Sequence, residues 1–541
     1  MAYLKAQVGW AVLGAIAVIA GKPFTPASAQ SSIPSPLSEI PDPVPVESYT
    51  DLPRFEPLDP CFMWADEALS YRCGYVVVPA DRSQPGGQTI HLGVFVVESQ
   101  NSPSSPDPIF FAQGGPGGSV MLFANFGQVI QPDWFTLSNQ NRDLVFFDQR
   151  GTEYTRPYLS CSDYTDARIQ SAQAGASVEQ TTEAIATAVE TCAQRWEQQG
   201  WDLSVFNSLE IAADINDIRL ALGYDQINFY GASYGTMLGQ HLMYRYPGIL
   251  RSVTLDGVFP LSGNWGVDQA RLKQAALDQA FAACAADAGC HAAYPNLPQM
   301  TEQVHANLQQ NPLTVSLSPL FEETNTDTFF EVRINGDLFS TALIDSLYNQ
   351  EGLIRFPFLV DSVGQGNANL LRYEFAHSLQ AGDAFALLMH FAVVCAEDAD
   401  FVMSDVGLSD TSVIAQGYSH LDTRQYLTTC DRLNIASLPA SMDVPVVSDV
   451  PTLLLSGQFD PATPPSLLDQ VLPTLSNAHS YLFPNGAHGQ LWPNNACAAL
   501  LFEHFIDSPR LSPEDRCLEL ESGSLPFFLP YSNTRTSTQS R

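Results

Sequence analysis

The segment INFYGASYGTMLG, residues 227–239, joins an apolar strand pattern to a glycine-serine turn and the start of a helix. Ser233 lies between Gly231 and Gly235 in the pattern G-x-S-x-G. In this pattern a strand reverses sharply into a helix, and the flanking glycines remove side-chain atoms that would clash. The serine hydroxyl then lies at the helix N-terminus, where the helix dipole favours developing negative charge. The motif predicts a nucleophilic serine, and the alternative is a glycine-rich turn whose serine is incidental.

The rest of the chain alternates short apolar runs with helical periodicity from residue 71 onward. This alternation is typical of an α/β fold with a mostly parallel central sheet. One segment, SLEIAADINDIRLALG, carries apolar residues at helical spacing on one face: Ile211, Ile215, Ile218 and Leu222.

A long stretch of mainly helical sequence interrupts this pattern between residues 262 and 445. Because a stretch of this length is too long for a loop, we expect a helical lid subdomain inserted between two strands. The predicted lid subdomain follows the C-terminal end of a strand, and α/β sheets bind their ligands at the C-terminal ends of their strands. The predicted organisation is a signal peptide at 1–29, a Pro/Ser-rich extended arm at 30–60, core at 61–261, lid subdomain at 262–445, core at 446–521 and a C-terminal tail at 522–541.

The N-terminus has the features of an export signal. Lys5 precedes an apolar run at residues 8–20, and Ala27-Ser28-Ala29 fits a cleavage site. An uncleaved membrane anchor is the alternative, but the run is shorter than the ~20 residues that a spanning helix needs. We expect cleavage after Ala29, a secreted or periplasmic protein, and no membrane association after signal removal.

Ten cysteines in an exported chain indicate disulfides, because the compartment beyond the membrane is oxidising. No C-x-x-C pair occurs, so zinc is the weaker interpretation and we expect no metal site. Proximity in sequence suggests five pairs, although sequence alone does not fix them: Cys61 with Cys73, Cys161 with Cys192, Cys284 with Cys290, Cys395 with Cys430, and Cys497 with Cys517.

The chain is strongly acidic, with a formal net charge of -34. Such a surface repels nucleic acid, so a nucleic-acid partner is excluded. Two interpretations of the acidity stay open: a well-solvated surface, or a rim that attracts cationic groups such as the amino end of a peptide.

A nucleophilic serine needs a base to remove its proton and a third group to orient that base. Asp460 follows the strand-like LLLSG, and His488 follows the next apolar run in a glycine-containing loop. Asp256, also at a predicted strand end, is the alternative acid. The chain order Ser233, Asp460, His488 is that of an α/β-hydrolase.

Acyl transfer also needs two N–H donors for an oxyanion. We expect one from Tyr234, just after the serine, and the other from Gly115 in FFAQGGPGGS, with Gly114 as the alternative. A phosphate-binding loop is excluded because no Walker lysine follows and the spacing is not G-x-G-x-x-G.

Several motifs together resemble the secreted tripeptidyl and prolyl aminopeptidase-like serine hydrolases of the α/β-hydrolase fold. They are GGPGGS, DQRGT, GASYGT, GQFDPATP and GAHG, over about residues 70–265 and 445–500. Gln113 departs from the pattern, since relatives usually have histidine before the two glycines.

The resemblance implies an exported serine peptidase that acts on peptides with a free N-terminus and requires no cofactor. It also implies acidic lid residues that bind the substrate amine, for which Glu397 and Asp398 are the candidates; a solvated helix end is their alternative. Asp148 and Arg150 are expected to stabilise their loop by an ion pair. Two other functions stay open: hydrolysis of small esters or lactones, and a non-catalytic binding role.

Overall fold

The computed structural model describes residues 51–63, 65–84, 86–318, 329–367, 371–380, 385–439, 442–491 and 495–530. The predicted signal peptide, the arm up to residue 50 and the last part of the tail, 531–541, lie outside the described residues. No helix within the described ranges is both long and apolar enough to cross a membrane.

The described residues form eleven strands. They are β1 (Arg54–Pro57), β2 (Tyr71–Pro79), β3 (Thr89–Val97), β4 (Ile109–Ala112), β5 (Leu144–Phe147), β6 (Ile227–Ala232), β7 (Leu250–Asp256), β8 (Leu313–Leu317), β9 (Phe330–Ile334), β10 (Thr452–Gly457) and β11 (Ala478–Phe483).

The helices surround these strands. They are α1 (Met121–Ile130), α2 (Asp133–Asn141), α3 (Ser162–Ala174), α4 (Val178–Glu197), α5 (Ser208–Leu222), α6 (Tyr234–Arg245), α7 (Trp265–Ala286), α8 (Ala288–Ala293), α9 (Leu297–Gln310), α10 (Gly336–Ser346), α11 (Gln350–Gly364), α12 (Leu371–Gln380), α13 (Leu387–Glu397), α14 (Val413–Leu433), α15 (Leu468–Val471), α16 (Ala496–Asp507) and α17 (Arg516–Glu521).

Nine strands form one sheet in the order β1-β2-β3-β5-β4-β6-β7-β10-β11. In this order, each neighbouring pair from β5 to β11 (β5-β4, β4-β6, β6-β7, β7-β10 and β10-β11) is parallel. The pairs β1-β2, β2-β3 and β3-β5 are antiparallel. Strands β4, β5, β6 and β10 are buried along their whole length, which fits their continuous apolar runs because helices cover both faces. The predicted α/β fold with a mostly parallel sheet is confirmed.

Helix α5 shows how the apolar pattern becomes packing. The Asn207 side chain caps it by accepting from the backbone N–H of Glu210, and Gly223 ends it in the left-handed conformation. The four residues assigned to one face, Ile211, Ile215, Ile218 and Leu222, are all buried in the core.

The lid subdomain, residues 262–445, is inserted between β7 and β10 and contains α7 to α14. Its two strands, β8 and β9, form an antiparallel hairpin apart from the main sheet. Leu277, Val332, Phe339 and Phe356 belong to a buried apolar cluster that consists mostly of residues of this insertion and that also includes Ala172, Phe459 and Leu525. Other residues of the insertion form one wall of the site described below.

Glu374 on α12 gives this subdomain a testable pH dependence. Burial raises its pKa to about 7, although Arg355, 3.7 Å away, lowers it. Because the folded-state pKa lies above the ordinary value, this group stabilises the fold at low pH and the stabilisation is lost as pH rises through about 7. We expect Glu374→Gln to raise the melting temperature, relative to the native protein, by a few degrees more at pH 8 than at pH 5.

Thermal unfolding of both proteins across that pH range measures this difference. An equal shift at both pH values would contradict the assigned titration, because a packing effect of glutamine does not depend on pH.

All five predicted disulfides are confirmed. No cysteine is left free, so none is available as a zinc ligand. One disulfide joins Cys161, directly before α3, to Cys192 on α4, and another joins Cys395 on α13 to Cys430 on α14.

The first part of the predicted tail packs against the lid subdomain. Leu525 is buried, the Phe528 N–H donates to the Ile354 carbonyl at 3.0 Å, and the Tyr294 hydroxyl donates to the Phe528 carbonyl at 2.7 Å. Residues 523–530 therefore belong to the folded unit.

Candidate active site

The turn between β6 and α6 presents Ser233 on a sharp reversal of the chain. Ser233 has φ 55° and ψ -121°, a strained conformation for a residue other than glycine. A Cβ at Gly231 would lie 2.1 Å from the Gly235 carbonyl oxygen, and one at Gly235 would lie 2.8 Å from that of Ala112. Both glycines are thus required by close backbone approach.

Asp460 and His488 follow β10 and β11, and the structure brings them together. Asp460 Oδ2 lies 2.8 Å from His488 Nδ1, and Asp460 is fully buried. An ionised carboxylate only accepts hydrogen bonds, so Nδ1 carries the proton and Nε2 is left as a base.

The Asp460 carboxylate is also held by Thr463, whose N–H donates to Oδ1 at 2.8 Å and whose hydroxyl donates to Oδ2 at 2.6 Å. Burial opposes ionisation of Asp460, but His488 and the Thr463 hydrogen bonds outweigh it and lower its pKa. This environment keeps the carboxylate charged beside the imidazole.

Asp256, the alternative acid, has different partners. It accepts hydrogen bonds from the Tyr230 hydroxyl at 2.9 Å and from the N–H groups of Gln490 and Leu491 at 2.8 and 2.9 Å. Its carboxylate therefore anchors the loop just after His488, and the geometry favours Asp460 as the partner of the imidazole.

Ser233 and His488 line one cavity of about 320 Å³ between the core and the lid subdomain. Aromatic side chains of the lid form much of the wall: Trp265, Tyr348, Phe385, Tyr418 and Tyr426. The cavity lies at the C-terminal ends of the parallel strands, where ligands bind in α/β sheets.

The glycine loop, residues 113–118, lies against the serine. A Cβ at Gly114 would lie 2.6 Å from that of Ser233, so the loop backbone approaches as closely as glycine allows. The Gly114 N–H donates to Oε1 of Gln113 at 2.8 Å, whereas the Gly115 N–H has no acceptor among the described residues. Gly115 also lines the cavity, as does Tyr234 at the first position of α6. This difference favours Gly115 over Gly114 as an oxyanion donor.

The expected ion pair between Asp148 and Arg150 is wrong. Asp148 instead accepts from the Ser119 hydroxyl and the Val120 N–H, each at 2.9 Å, and burial raises its pKa to about 6. Arg150, fully buried, binds both carboxylate oxygens of Asp214 at 2.7 Å. A buried guanidinium needs several acceptors, and α5 supplies a bidentate one.

Glu397 and Asp398 both line the cavity at the end of α13. Glu397 accepts from the Ser208 N–H and the Ser208 hydroxyl, each at 2.7 Å, and the Ser208 oxygen is 2.6 Å from the Tyr234 hydroxyl. Burial raises the pKa of Glu397 to about 7, and burial together with Glu397 raises that of Asp398. Neither carboxylate forms an ion pair within the described part of the chain.

Comparison with known proteins shows what this chain is similar to. The family model described as alpha/beta hydrolase fold matches residues 107–310, and that described as TAP-like protein matches residues 418–517. The chain is an α/β-hydrolase by fold. The resemblance to tripeptidyl aminopeptidase-like enzymes that the motifs predicted is confirmed.

Three curated relatives match only part of this chain. The tripeptidyl aminopeptidase of Streptomyces coelicolor is 30% identical over 205 residues, which are 36% of this chain and 37% of that protein. Serine protease Hip1 of Mycobacterium tuberculosis is 29% identical over 232 residues, or 40% and 42% of the two chains. The putative hydrolase YuaR of Escherichia coli is 23% identical over 348 residues, or 61% and 64%. The matches span less than two thirds of each relative.

A buried lysine that the sequence motifs did not predict lies on the far side of Tyr348 from His488. The Lys273 ammonium is 3.2 Å from the Tyr348 hydroxyl and 4.8 to 5.2 Å from three ring centroids, those of Trp265, Tyr348 and Tyr418. Burial lowers its pKa to about 8, although nearby aspartates raise it. The Tyr348 ring meets the His488 ring edge-on at 5.3 Å. No local pattern marks these contacts, because Tyr348, Tyr418 and His488 lie far from Lys273 in the sequence.

Proposed function

We propose that this protein is an exported serine peptidase that releases amino acids or short peptides from the free N-terminus of peptide substrates. The observation that carries the proposal is one cavity that two groups of residues share. Ser233 and His488, whose imidazole bonds Asp460, line this cavity, and so do Glu397 and Asp398, which lack a cationic partner among the described residues.

In the proposed reaction, the Ser233 hydroxyl attacks the carbonyl carbon of the scissile amide. His488 Nε2 takes the hydroxyl proton and then gives it to the leaving amine, while Asp460 stabilises the imidazolium. The N–H groups of Tyr234 and Gly115 donate to the oxyanion of the tetrahedral intermediate. Water, activated by the same imidazole, then hydrolyses the acyl-enzyme and frees Ser233.

Recognition of the substrate amine follows from the electrostatics around Glu397 and Asp398. Two half-buried carboxylates without a cation are costly, and their raised pKa values express that cost. An entering ammonium group supplies the missing charge and hydrogen-bond donors. Substrates with a blocked N-terminus lack both, so they leave the carboxylates unpaired.

Two features support export. The N-terminal sequence has the pattern of a cleavable signal, with Ala29 as the last residue removed. All ten cysteines are paired, as in proteins of oxidising compartments.

Hydrolysis of small esters is the second candidate, favoured by the aromatic walls of the cavity. Such walls bind apolar acyl groups, and the same serine chemistry cleaves esters. The two candidates differ in whether a free amine is needed.

Hydrolysis of short peptide anilides with free and with acetylated N-termini, by purified mature protein, tests the proposal. We expect cleavage of the free-amine series, with kcat/KM at least about 30-fold above the acetylated series, because an unpaired buried charge costs several kcal/mol. Cleavage of small esters without either peptide series would support the esterase and overturn the peptidase.

A further inference from the structure

The glycine loop, residues 113–118, has little conformational preference of its own. Gly115 and Gly117 have φ values of 118° and 103°, in the region that glycine alone adopts without strain. Glycine populates many other conformations as readily, and one hydrogen bond inside the loop, from the Gly118 N–H to the Gly114 carbonyl at 3.1 Å, restricts it only in part. Contacts with other segments supply further restraint. The core provides one such contact, from Gln149 Nε2 to the Gln113 carbonyl at 2.7 Å.

The lid subdomain provides the other contacts, and both come from the start of α13. The Ala386 N–H donates to the Gly117 carbonyl at 3.0 Å. One turn later, Nδ1 of His390 lies 2.8 Å from the Pro116 carbonyl oxygen. Two successive carbonyls of the loop are therefore bound by one helix end of the lid.

The hydrogen bonds of His390 define its tautomer. A carbonyl oxygen only accepts, so Nδ1 carries the proton that bonds Pro116. Nε2 then accepts from the Tyr426 hydroxyl on α14, 2.7 Å away. Burial lowers the pKa of His390 to about 4, so the ring stays neutral at ordinary pH and keeps this arrangement.

We infer that His390 is a positioning residue that holds the Pro116 carbonyl, and with it the preceding Gly115 N–H, in the orientation that stabilises the oxyanion. The inference rests on the proposed function, because it assigns a role to Gly115 in the same reaction. Its consequence is that seating of the lid subdomain and formation of the oxyanion donor are one event. A lid displaced from the core releases both carbonyls and leaves the glycine loop free to turn.

Two substitutions separate the two hydrogen bonds of His390. The amide nitrogen of asparagine occupies the position of Nδ1, so His390→Asn keeps a donor to Pro116 and loses Tyr426. The amide of glutamine reaches the position of Nε2, so His390→Gln keeps a partner for Tyr426 and loses Pro116. Tyr426→Phe leaves the donor to Pro116 in place but removes the hydroxyl that donates to Nε2 of His390.

The readouts are kcat and KM for a small ester, the rate of labelling by a fluorophosphonate, and the affinity for a boronic acid that forms a tetrahedral adduct. We expect His390→Gln to lower kcat, the labelling rate and boronate affinity about 10- to 100-fold with KM within about threefold, since loss of a whole oxyanion donor costs about 10² to 10³. His390→Asn should recover most of this loss. The kcat, labelling rate and boronate affinity of Tyr426→Phe should lie between those of His390→Asn and His390→Gln.

Equal losses in His390→Asn and His390→Gln would overturn the inference, because the Pro116 hydrogen bond would then not be the cause. Native rates in His390→Gln would overturn it too. If His390→Gln does not fold, the kcat values of His390→Asn and Tyr426→Phe are compared instead. Native kcat in Tyr426→Phe together with a 10-fold loss of kcat in His390→Asn would contradict the assignment. Failure of the proposed function is recognised separately, by native protein that is not labelled, or by labelling that survives Ser233→Ala.

Discussion

Ser233→Ala is expected to lower kcat for every substrate by about four to six orders of magnitude, while the protein stays folded. Oγ is the only non-hydrogen atom that the substitution removes. The strained turn is held by backbone contacts that alanine retains. One of them is the hydrogen bond from the residue 233 N–H to the Asp256 carbonyl at 2.9 Å. Steady-state hydrolysis and thermal unfolding of the same preparation measure the two halves of this expectation.

Asp460 and Asp256 offer a matched comparison within this prediction. Both are fully buried aspartates at strand ends, but Asp460 bonds the His488 imidazole and Asp256 bonds the backbone after it. We expect Asp460→Asn to lower kcat by about four orders of magnitude, because the amide favours the wrong imidazole tautomer. Asp256→Asn should mainly lower stability. A larger loss of kcat in Asp256→Asn than in Asp460→Asn would assign the acid to Asp256. Turnover by Ser233→Ala at the native rate would exclude the serine mechanism.

Local sequence chemistry predicted the strand-turn-helix at Ser233 and the positions of Asp460 and His488. Each depends on a few neighbouring residues: glycines where backbones touch, and polar residues directly after buried strands. Parallel topology then brings the strand ends to one edge of the sheet. The choice of Asp460 over Asp256 depended on the same logic, because the base and the acid were expected after consecutive strands.

Contacts made across long separations were not predictable in this way. His390 bonds Pro116 across 274 positions, and the ring of Tyr348 meets His488 across 140 positions of sequence. Arg150 forms its ion pair with Asp214 on α5, although Asp148 lies only two positions away in the sequence. Helical periodicity marks a residue as buried but does not identify the element it meets, so tertiary packing decided these partners.

The path from Ser233 to Glu397, the proposed ligand of the substrate amine, is short and built from hydrogen bonds. Tyr234, next to Ser233, contacts Ser208 at 2.6 Å, and Ser208 bonds both carboxylate oxygens of Glu397 at 2.7 Å. Helix α5 begins at Ser208, so a main helix of the core determines where Glu397 lies relative to the serine. This fixed geometry is what an enzyme needs to cut at a set distance from a substrate amine.

Glu397→Gln is accordingly expected to lower kcat/KM for free-amine peptides by about 30- to 1,000-fold, with little change for small neutral esters. Glutamine retains the shape of the side chain. Its amide oxygen can accept from the Ser208 N–H, and its amide nitrogen can donate to the Ser208 hydroxyl, which then donates to Tyr234. The variant thus removes the charge and keeps the hydrogen-bonded path. Asp410→Asn, which removes an exposed negative charge from the same subdomain, is the matched control.

The pH dependence of kcat/KM separates loss of the Glu397 charge from a structural defect, because only loss of the charge changes with pH in the direction given below. The pKa of Glu397, raised to about 7 by burial, means that the charge that attracts the ammonium is lost as pH falls below 7. The ratio of kcat/KM for a free-amine anilide to that for a neutral ester removes the shared titration of the catalytic base. In the native protein this ratio should fall from pH 7.5 to pH 5.5, and above about pH 8 it should fall again as the substrate amine loses its proton. In Glu397→Gln the acid limb should disappear. An acid limb that persists in the variant, or an equal loss on esters and peptides, would assign the amine to a carboxylate other than Glu397.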